Sequence, residues 1–348
     1  MPQLVVLTEQ LLAPVPGGTG RYTRELAAAL AATAPAGWTV TGAVSRHRDV
    51  EAAVIPGVEG PKVLPLPRRA LIATWEYGIP YWPGGDAVHA PTPLAPPGDR
   101  VVVTVHDAVP WTHPETLTPR GVAWHRKVIS RATAKAGAVV VPTRAVADDL
   151  ATHAPGAAPV HVVGHGVTEW PEEAPIPLPE LYVLAIGTLE PRKGLVSLVE
   201  ATRDGGIPLV LIGPQGWGDV DVRAPHVRML GRLADAELAY ALRRATVLAV
   251  PSLAEGFGLP LLEAMAAGVP VVHTDAPALV EVAGGAGLVT PRGDVEALTR
   301  AIRSVVDDGT TAARMVSAGL RRAEAFTWEK AARDTWAAHL ELRRRRVT

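Results

Sequence analysis

Cysteine is absent from this sequence, and so are long apolar runs and an excess of charge of either sign. Without cysteine the chain can form no disulfide, no thiolate metal site and no cysteine nucleophile. No apolar run approaches the ~20 residues that span a bilayer, and the N-terminal segment lacks the basic region of a signal peptide. We therefore expect a cytoplasmic protein, with contact at the inner membrane surface left open as an alternative.

The charges nearly cancel, with 34 Lys and Arg against 35 Asp and Glu. A protein that binds nucleic acid normally carries a basic field, or basic patches interleaved with aromatic rings. Aromatic residues make up only 5% of this chain. We therefore predict no nucleic-acid partner.

What the chain does contain is enough apolar material for two domains, with 48% hydrophobic residues in a length of 348. Short β-branched runs alternate with helical patterns almost from end to end. The runs are apolar throughout rather than alternating, which is typical of parallel strands buried on both faces. The predicted strands are 4–7, 39–44, 87–90, 101–105, 138–141 and 160–163 in the first half, and 181–186, 209–212, 227–230, 246–250 and 269–272 in the second.

These patterns predict an α/β fold of two Rossmann-like, doubly wound domains that face each other across a cleft. Four prolines within 169–180 mark a linker. The predicted organisation is an N-terminal domain at 1–168, the linker at 169–180 and a C-terminal domain at 181–326. Residues 327–348 are predicted as a helix that crosses back to the N-terminal domain.

A glycine-rich segment containing Gly17, Gly18 and Gly20 lies between the first predicted strand and the first predicted helix. Glycines let the backbone come close to a ligand and aim N–H groups at an anion. The segment matches neither the dinucleotide fingerprint nor a P-loop. A flexible connection explains it equally well.

Two adjacent cations, Arg192 and Lys193, follow the first strand of the second half within the run EPRKG at 190–194. Lys193 is one of only five lysines. In open α/β sheets, ligands bind at the carboxyl ends of the strands, so a cation placed there is suited to binding phosphate. Taken alone, a solvated surface turn explains the pair as well.

The strongest signal is the run from Glu255 to Pro270. Pro260 near the first turn and Gly268 after the last turn frame a short helix. Glu263 is the only charged residue between positions 256 and 272. A carboxylate in an apolar helix is costly without a partner, and ribose hydroxyls are suitable donors.

Together these motifs resemble family-4 retaining glycosyltransferases of the GT-B fold. The resemblance is carried by the two glutamates at 255 and 263, the EPRKG run, the segment GPQGW at 213–217 and the Gly-Gly segment. The segments DAVH at 86–89 and VTVHD at 103–107 are similar to a bacterial mannosyltransferase-like subgroup. The chain departs from the family at His165, where relatives usually have asparagine.

The resemblance implies a role for each matched residue in the second domain. Arg192 and Lys193 would neutralise the donor diphosphate, Glu263 would bind ribose, and Glu255 would face the donor sugar hydroxyls. Backbone amides of four residues would meet the sugar and phosphates; they are Gly256, Phe257, Gly258 and Leu259.

In the first domain, the resemblance implies that Gly17 and Gly18 touch the diphosphate and that His106 lies beside the reacting sugar carbon. A loop histidine held by an ordinary hydrogen bond is the alternative for His106. We count His106, Arg192, Lys193 and Glu255 as the catalytic candidates.

The function that the resemblance implies is retaining transfer of a hexose, with mannose from GDP-mannose as our choice, to an acceptor hydroxyl. The acceptor is left open as a saccharide, a lipid-linked molecule or a small molecule. No cofactor is expected, since the nucleotide sugar is a co-substrate. The alternatives are a nucleotide-sugar epimerase or phosphorylase on the same fold, and a non-catalytic nucleotide-sugar-binding protein.

Two further patterns have ordinary explanations. Asp219 and Asp221 match the D-x-D pattern of metal-dependent glycosyltransferases, but the sequence around them supplies no further oxygen ligands, and we expect no metal. A predicted helix carries Arg120, Lys127, Arg131 and Lys135 on one stripe, which suits anionic lipid or a charged acceptor. A solvated helix face explains that stripe too, and the arginines at 343–346 are ambiguous in the same way.

Overall fold

The computed structural model describes residues 1–347, and side chains as far as residue 345. The chain divides into two compact units. Unit 1 comprises Met1–Pro114, Thr118–Gly166 and the chain from Thr327 onward, and unit 2 comprises Glu115–Leu117 and Val167–Phe326. The proline-rich stretch 169–180, which we predicted as a linker, packs on unit 2, where Glu173 forms ion pairs with two arginines of one helix end.

Unit 1 is built on a seven-stranded sheet in which every described pairing is parallel. Its strands are β1 (Gln3–Leu7), β2 (Thr39–Arg46), β3 (Glu59–Pro67), β4 (Ala87–Ala90), β5 (Gly98–Thr104), β6 (Ala136–Val141) and β7 (Val160–Val162). The first five helices also belong to it: α1 (Gly17–Ala32), α2 (Arg68–Glu76), α3 (Val109–Thr112), α4 (Pro119–Lys135) and α5 (Arg144–His153). Valines on the central strands are fully buried, as the continuous apolar runs predict.

Unit 2 has a six-stranded sheet of the same kind. Its strands are β8 (Val183–Ile186), β9 (Leu209–Ile212), β10 (Val227–Gly231), β11 (Val247–Val250), β12 (Val271–Thr274) and β13 (Leu288–Thr290). Its helices are α6 (Leu195–Thr202), α7 (Asp235–Arg243), α8 (Leu259–Ala266), α9 (Pro277–Ala283), α10 (Val295–Asp307) and α11 (Gly309–Ala323). The prediction of two Rossmann-like α/β units is confirmed.

The last helix, α12 (Trp328–Val347), belongs to unit 1 although it follows unit 2 in the chain. It packs on α1, and the indole N–H of Trp336 donates to the carbonyl oxygen of Leu30 at 3.0 Å. None of the described helices, α12 included, is both long enough and apolar enough to cross a membrane.

Both sheets reverse their strand order beside their first strand. The order is β3-β2-β1-β4-β5-β6-β7 in unit 1 and β10-β9-β8-β11-β12-β13 in unit 2. Loops that leave the carboxyl ends of the two strands at such a reversal diverge and leave a crevice, which is where ligands bind in open α/β sheets. The crevices therefore lie beyond β1 and β4 in unit 1, and beyond β8 and β11 in unit 2.

Two local predictions differ from the structure. The glycine-rich segment is not a loop, because α1 begins at Gly17 and Gly18 lies in its first turn. That prediction is wrong because the amide of Gly20 donates to the carbonyl oxygen of Pro16 at 2.9 Å and closes a first helical turn four residues before Arg21. The edge strands β3 and β13 were not predicted at all, since β3 is mostly exposed and contains prolines and β13 has only three residues.

Candidate active site

The crevice of unit 2 is formed by two loops in direct contact. After β8 the chain reaches a short 3-10 helix, Pro191–Lys193, which ends at Gly194 with φ of 62°. A Cβ added at Gly194 would lie 2.1 Å from the carbonyl oxygen of Pro251, in the loop that follows β11. The amide of Leu253 donates to the carbonyl of Arg192 at 2.8 Å. These contacts fix the two loops to each other.

The two cations and Glu255 form one ion-paired network across these loops. Lys193 Nζ lies 2.6 Å from Glu255 Oε1, and Arg192 Nη1 lies 3.1 Å from Glu255 Oε2. Ser252 Oγ donates to Glu255 Oε1 at 2.8 Å. Arg192 also donates to Glu190 Oε1 at 2.6 Å. The cations that we predicted for the diphosphate and the carboxylate that we predicted for the sugar therefore meet at one point.

The network strongly favours the charged form of Glu255. Burial by itself would raise the pKa of this carboxyl group. The charges of Lys193 and Arg192, with hydrogen bonds from Lys193 and Ser252, outweigh burial and lower the pKa to about 2. Neither cation is solvated as a surface turn would be, because their side chains are only 17% and 16% exposed.

Helix α8 begins beside this network. Gly258 is its N-cap in the left-handed region, with φ of 95°, and a Cβ there would lie 2.6 Å from Leu279 Cδ2. The first amides of α8, from Leu259 onward, carry the positive end of the helix dipole. Glu263 lies in the same helix and is 3% exposed. Phe257 packs its ring edge-on against Phe326 at 5.7 Å between centroids.

His106 follows β5 in unit 1, at the carboxyl edge of that sheet. Its Nε2 lies 2.8 Å from the carbonyl oxygen of Pro91. Burial lowers the pKa of His106, while the contacts with Pro91 and Asp107 raise it less, so the ring is neutral at pH 7. Because a carbonyl can only accept, Nε2 carries the proton and Nδ1 presents a lone pair.

Two buried rings hold His106 in place. The centroid of Tyr22 lies 4.7 Å from that of His106, edge-on, and 4.6 Å from that of His165. The hydroxyl of Tyr22 lies 2.9 Å from Thr104 Oγ1. Sequence reasoning missed Tyr22 altogether, since nothing in the pattern of α1 connects it with the strand end.

A pocket of about 340 Å³ opens beside His106 in unit 1, lined by the ends of β1 and β5 and by α2 and α4. Its lining combines charged, polar and apolar side chains. The polar and aromatic residues that line it include Glu9, Thr19, Arg68, His106, Asp107 and Trp124. Such a mixed wall is suited to a ligand with both hydroxyl groups and an apolar face.

The predicted site residues divide between the units. Gly17, Gly18 and His106 lie on unit 1, and the others lie on unit 2. Of the residues on unit 2, the structure brings Arg192, Lys193 and Glu255 into contact, and it places Gly258 and Glu263 on the neighbouring helix. Glu190 is a site neighbour for which the sequence suggested no role, although it was visible as a carboxylate two residues before Arg192.

The remaining charged patterns are partly engaged elsewhere. Asp221 pairs with Arg223 at 2.9 Å in an exposed loop. On α4, Lys127 pairs with Glu76 at 3.1 Å and Arg131 donates to a backbone carbonyl of unit 1. Contact of α4 with a membrane stays a prediction. Two of the four cations on its stripe, Lys127 and Arg131, already have partners within unit 1. The side chain of Arg346, in the C-terminal arginine run, lies outside the described residues.

Two protein-family models match this chain. Glycosyl transferases group 1 matches residues 166–322, and Glycosyltransferase Family 4 matches residues 16–169. The O-antigen chain mannosyltransferase B of Escherichia coli is 39% identical over 174 residues, which are 45% of each chain. The MMP alpha-(1->4)-mannosyltransferase of Mycolicibacterium hassiacum is 32% identical over 284 residues, which are 71% of this chain and 66% of that protein. The matches therefore span about half to two thirds of these curated relatives.

Solved structures share the whole fold at low identity. Sucrose-phosphate synthase from Thermosynechococcus elongatus has a TM-score of 0.76 at 22% identity, covering 98% of this chain and 99% of that one. Anabaena HepE in complex with UDP and glucose has a TM-score of 0.71 at 18% identity, covering 98% and 100%. At these identities the likeness concerns the fold alone.

Proposed function

This chain belongs to glycosyltransferase family 4, and from that membership we propose that it is a retaining, metal-independent transferase that moves a hexose from a nucleotide sugar to an acceptor hydroxyl. One observation carries the proposal: Arg192, Lys193 and Glu255 meet where the strand order of unit 2 reverses. Two cations at a strand reversal, beside the start of a helix, are suited to a diphosphate that competes with Glu255 for them.

The leaving diphosphate gains negative charge as the glycosidic bond breaks. Arg192, Lys193 and the first amides of α8 would meet that charge, and a preorganised positive environment of this kind stabilises a transition state effectively. These groups would supply the positive charge that a metal ion supplies in metal-dependent enzymes. This supports metal-independent chemistry, with Asp219 and Asp221 outside the reaction.

For retention of configuration we choose the front-face route, in which the acceptor approaches from the face that the diphosphate leaves. The bond between the anomeric carbon and the diphosphate oxygen breaks, and the acceptor oxygen bonds to the same face of that carbon. The acceptor's proton passes to the departing phosphate. On unit 2, Glu255 would hold sugar hydroxyls. On unit 1, the lone pair on His106 Nδ1 is available to accept a hydrogen bond from a hydroxyl group bound there.

For the donor, we choose GDP-mannose. The two curated relatives described above are named as mannosyltransferases, which supports mannose as the sugar. HepE is described in complex with UDP and glucose, so the fold accommodates other donors. Glu263, buried in α8, is our choice for the ribose contact whatever the base.

For the acceptor, we propose the pocket of about 340 Å³ beside His106. Its charged residues, which include Glu9 and Arg68, suit a saccharide or another polar head, and its apolar residues suit a ring face or the first part of a lipid. A saccharide, a lipid-linked molecule and a small molecule all remain candidate acceptors.

Thermal-shift measurements against GDP, UDP, ADP and dTDP and their sugars test the donor, because a ligand that binds only the folded protein raises its melting temperature. Incubation with the best nucleotide sugar, without acceptor, then separates the alternatives. A transferase gives slow hydrolysis with the sugar's anomeric configuration retained, whereas an epimerase converts the nucleotide sugar itself. A binding protein without activity gives neither, and that result would refute the proposal.

A further inference from the structure

Glu190 is a buried carboxylate beside the donor site. It precedes the short helix Pro191–Lys193 as its N-cap residue and is 2% exposed. Its Oε1 lies 2.6 Å from Arg192 Nη2. A buried ion pair contributes little net stability, since the cost of removing both charges from water offsets their attraction. The fold alone therefore gives no reason for a carboxylate here.

Arg192 is held from two directions. Glu190, from its own segment, accepts from Nη2. Glu255 and the carbonyl of Ala254, in the loop after β11, accept from Nη1 at 3.1 and 2.9 Å. An arginine side chain has many rotamers, and bidentate phosphate binding needs its planar fork in one orientation.

The two carboxylates differ in what they hold. Glu255 bridges Arg192 and Lys193 across two loops, with the residues of each contact more than 60 positions apart in the chain. Glu190 is only two positions from Arg192, on the same turn. An anion that enters between the loops competes with Glu255 for the cations, whereas the contact of Glu190 lies within one segment.

We propose that Glu190 is a positioning residue of the donor site. Its ion pair with Arg192 sets the plane of the guanidinium, so that the side chain of Arg192 is already ordered when a diphosphate binds. The inference rests on the proposed function, because it takes Arg192 as a phosphate-binding group. Glu190 itself contacts no substrate. Its whole effect on binding passes through Arg192.

A double-mutant cycle measures that dependence. Calorimetric titrations with GDP, UDP, ADP and dTDP compare the wild type with Glu190→Ala, Arg192→Gln and the double variant. We expect Glu190→Ala to weaken binding of the preferred nucleotide about tenfold. In the Arg192→Gln background the same substitution changes the affinity by less than about twofold, because the guanidinium that Glu190 positions is absent.

A conservative variant and a matched control separate positioning from general damage. Glu190→Gln keeps an oxygen that accepts from Nη2, so it restores most of the affinity that Glu190→Ala loses. Glu200→Ala removes a carboxylate from an exposed pair with Arg203, 2.7 Å away on the same unit, and leaves nucleotide affinity unchanged. Melting temperatures of all variants identify any that fail to fold. If Glu190→Ala fails, Glu190→Leu, which fills the same space and accepts no hydrogen bond from Arg192, takes its place in the cycle.

The outcomes are distinct. If the preferred nucleotide binds Glu190→Ala as tightly as the wild type, or if the losses of the two single variants multiply in the double variant, Glu190 does not act through Arg192 and the inference is wrong while the proposed function stands. If none of the four nucleotides binds the wild type, the proposed function falls and the inference falls with it.

Discussion

Replacing Lys193 by methionine tests the ion-paired network most directly. Methionine keeps the apolar length of the side chain and removes the charge. Glu255 then keeps Arg192 and Ser252 as partners but loses the ammonium group 2.6 Å from Oε1. The side chains of Lys193 and Arg192 are only 17% and 16% exposed. Their burial now predicts a measurable loss of stability.

The magnitude follows from the pKa of Glu255. The network lowers this pKa from 4.5 to about 2, which corresponds to about 3 kcal/mol of stability at neutral pH. The carboxyl group is only 9% exposed, so solvent screens the interaction little. Lys193 supplies one of the two charges, so Lys193→Met should lower the free energy of unfolding of unit 2 by about 2 kcal/mol.

The sign of the pH dependence follows as well. A lowered pKa in the folded state stabilises above the unfolded value of 4.5, and this stabilisation is lost as the pH falls toward 2. In Lys193→Met the ionised Glu255 contributes less stabilisation, so this variant loses less of it as the pH falls. The difference in the free energy of unfolding between wild type and Lys193→Met should therefore be constant above about pH 5 and should become smaller at pH 3.5.

Urea unfolding at pH 7, 5 and 3.5 measures the difference, and hydrogen exchange of amides in β8 and β11 at pH 7 assigns it to unit 2. Lys330→Met is the control, because Lys330 pairs with Asp334 in an exposed i,i+4 pair that contributes about 0.3–0.5 kcal/mol. Equal losses in the two variants, or a loss that does not change with pH, would refute the reasoning.

Three other outcomes are expected. Glu263→Gln should raise the donor KM more than it lowers kcat, because it removes a contact made in ground and transition states alike; a normal KM with a collapsed kcat would contradict the ribose assignment. Activity should survive excess EDTA and both Asp219→Ala and Asp221→Ala, whereas loss restored by Mg²⁺ would overturn the metal-independent mechanism. Gly258→Ala should destabilise unit 2 and weaken nucleotide binding, since its Cβ would lie 2.6 Å from Leu279. Gly293→Ala, at φ of 77° with open space around it, controls for backbone strain, and equal effects of the two would contradict a steric cause.

The central strands could be read from the sequence because of how they are buried. The predicted run 209–212 is β9, Leu209–Ile212, and all four of its residues are buried. A strand covered by helices on both faces must be apolar at every position, and that pattern is visible without a structure. Edge strand β3 has exposed residues and prolines, so its strand conformation depends on pairing with β2, which no local pattern shows.

Within the site, too, some features could be predicted from local sequence and others could not. Pro260 and Gly268 indicated the bounds of α8, because proline suits a first turn and glycine suits the left-handed residue after a helix; Gly268 has φ of 72°. The glycine-rich segment misled us, since Gly17 and Gly18 are equally compatible with a loop and with the first turn of α1.

By itself, the sequence predicted the α/β class, the buried parallel strands, the family and a set of candidate site residues. Each of these depends on local composition or on spacing along the chain. The tertiary structure alone decided that Lys193 and Arg192 pair with Glu255, that Glu190 holds Arg192 and that Tyr22 packs on His106. Most of these contacts join residues that are far apart in the chain. Which loops come together, and which side chains become buried there, depends on the order of the strands in the sheet and not on any short stretch of sequence.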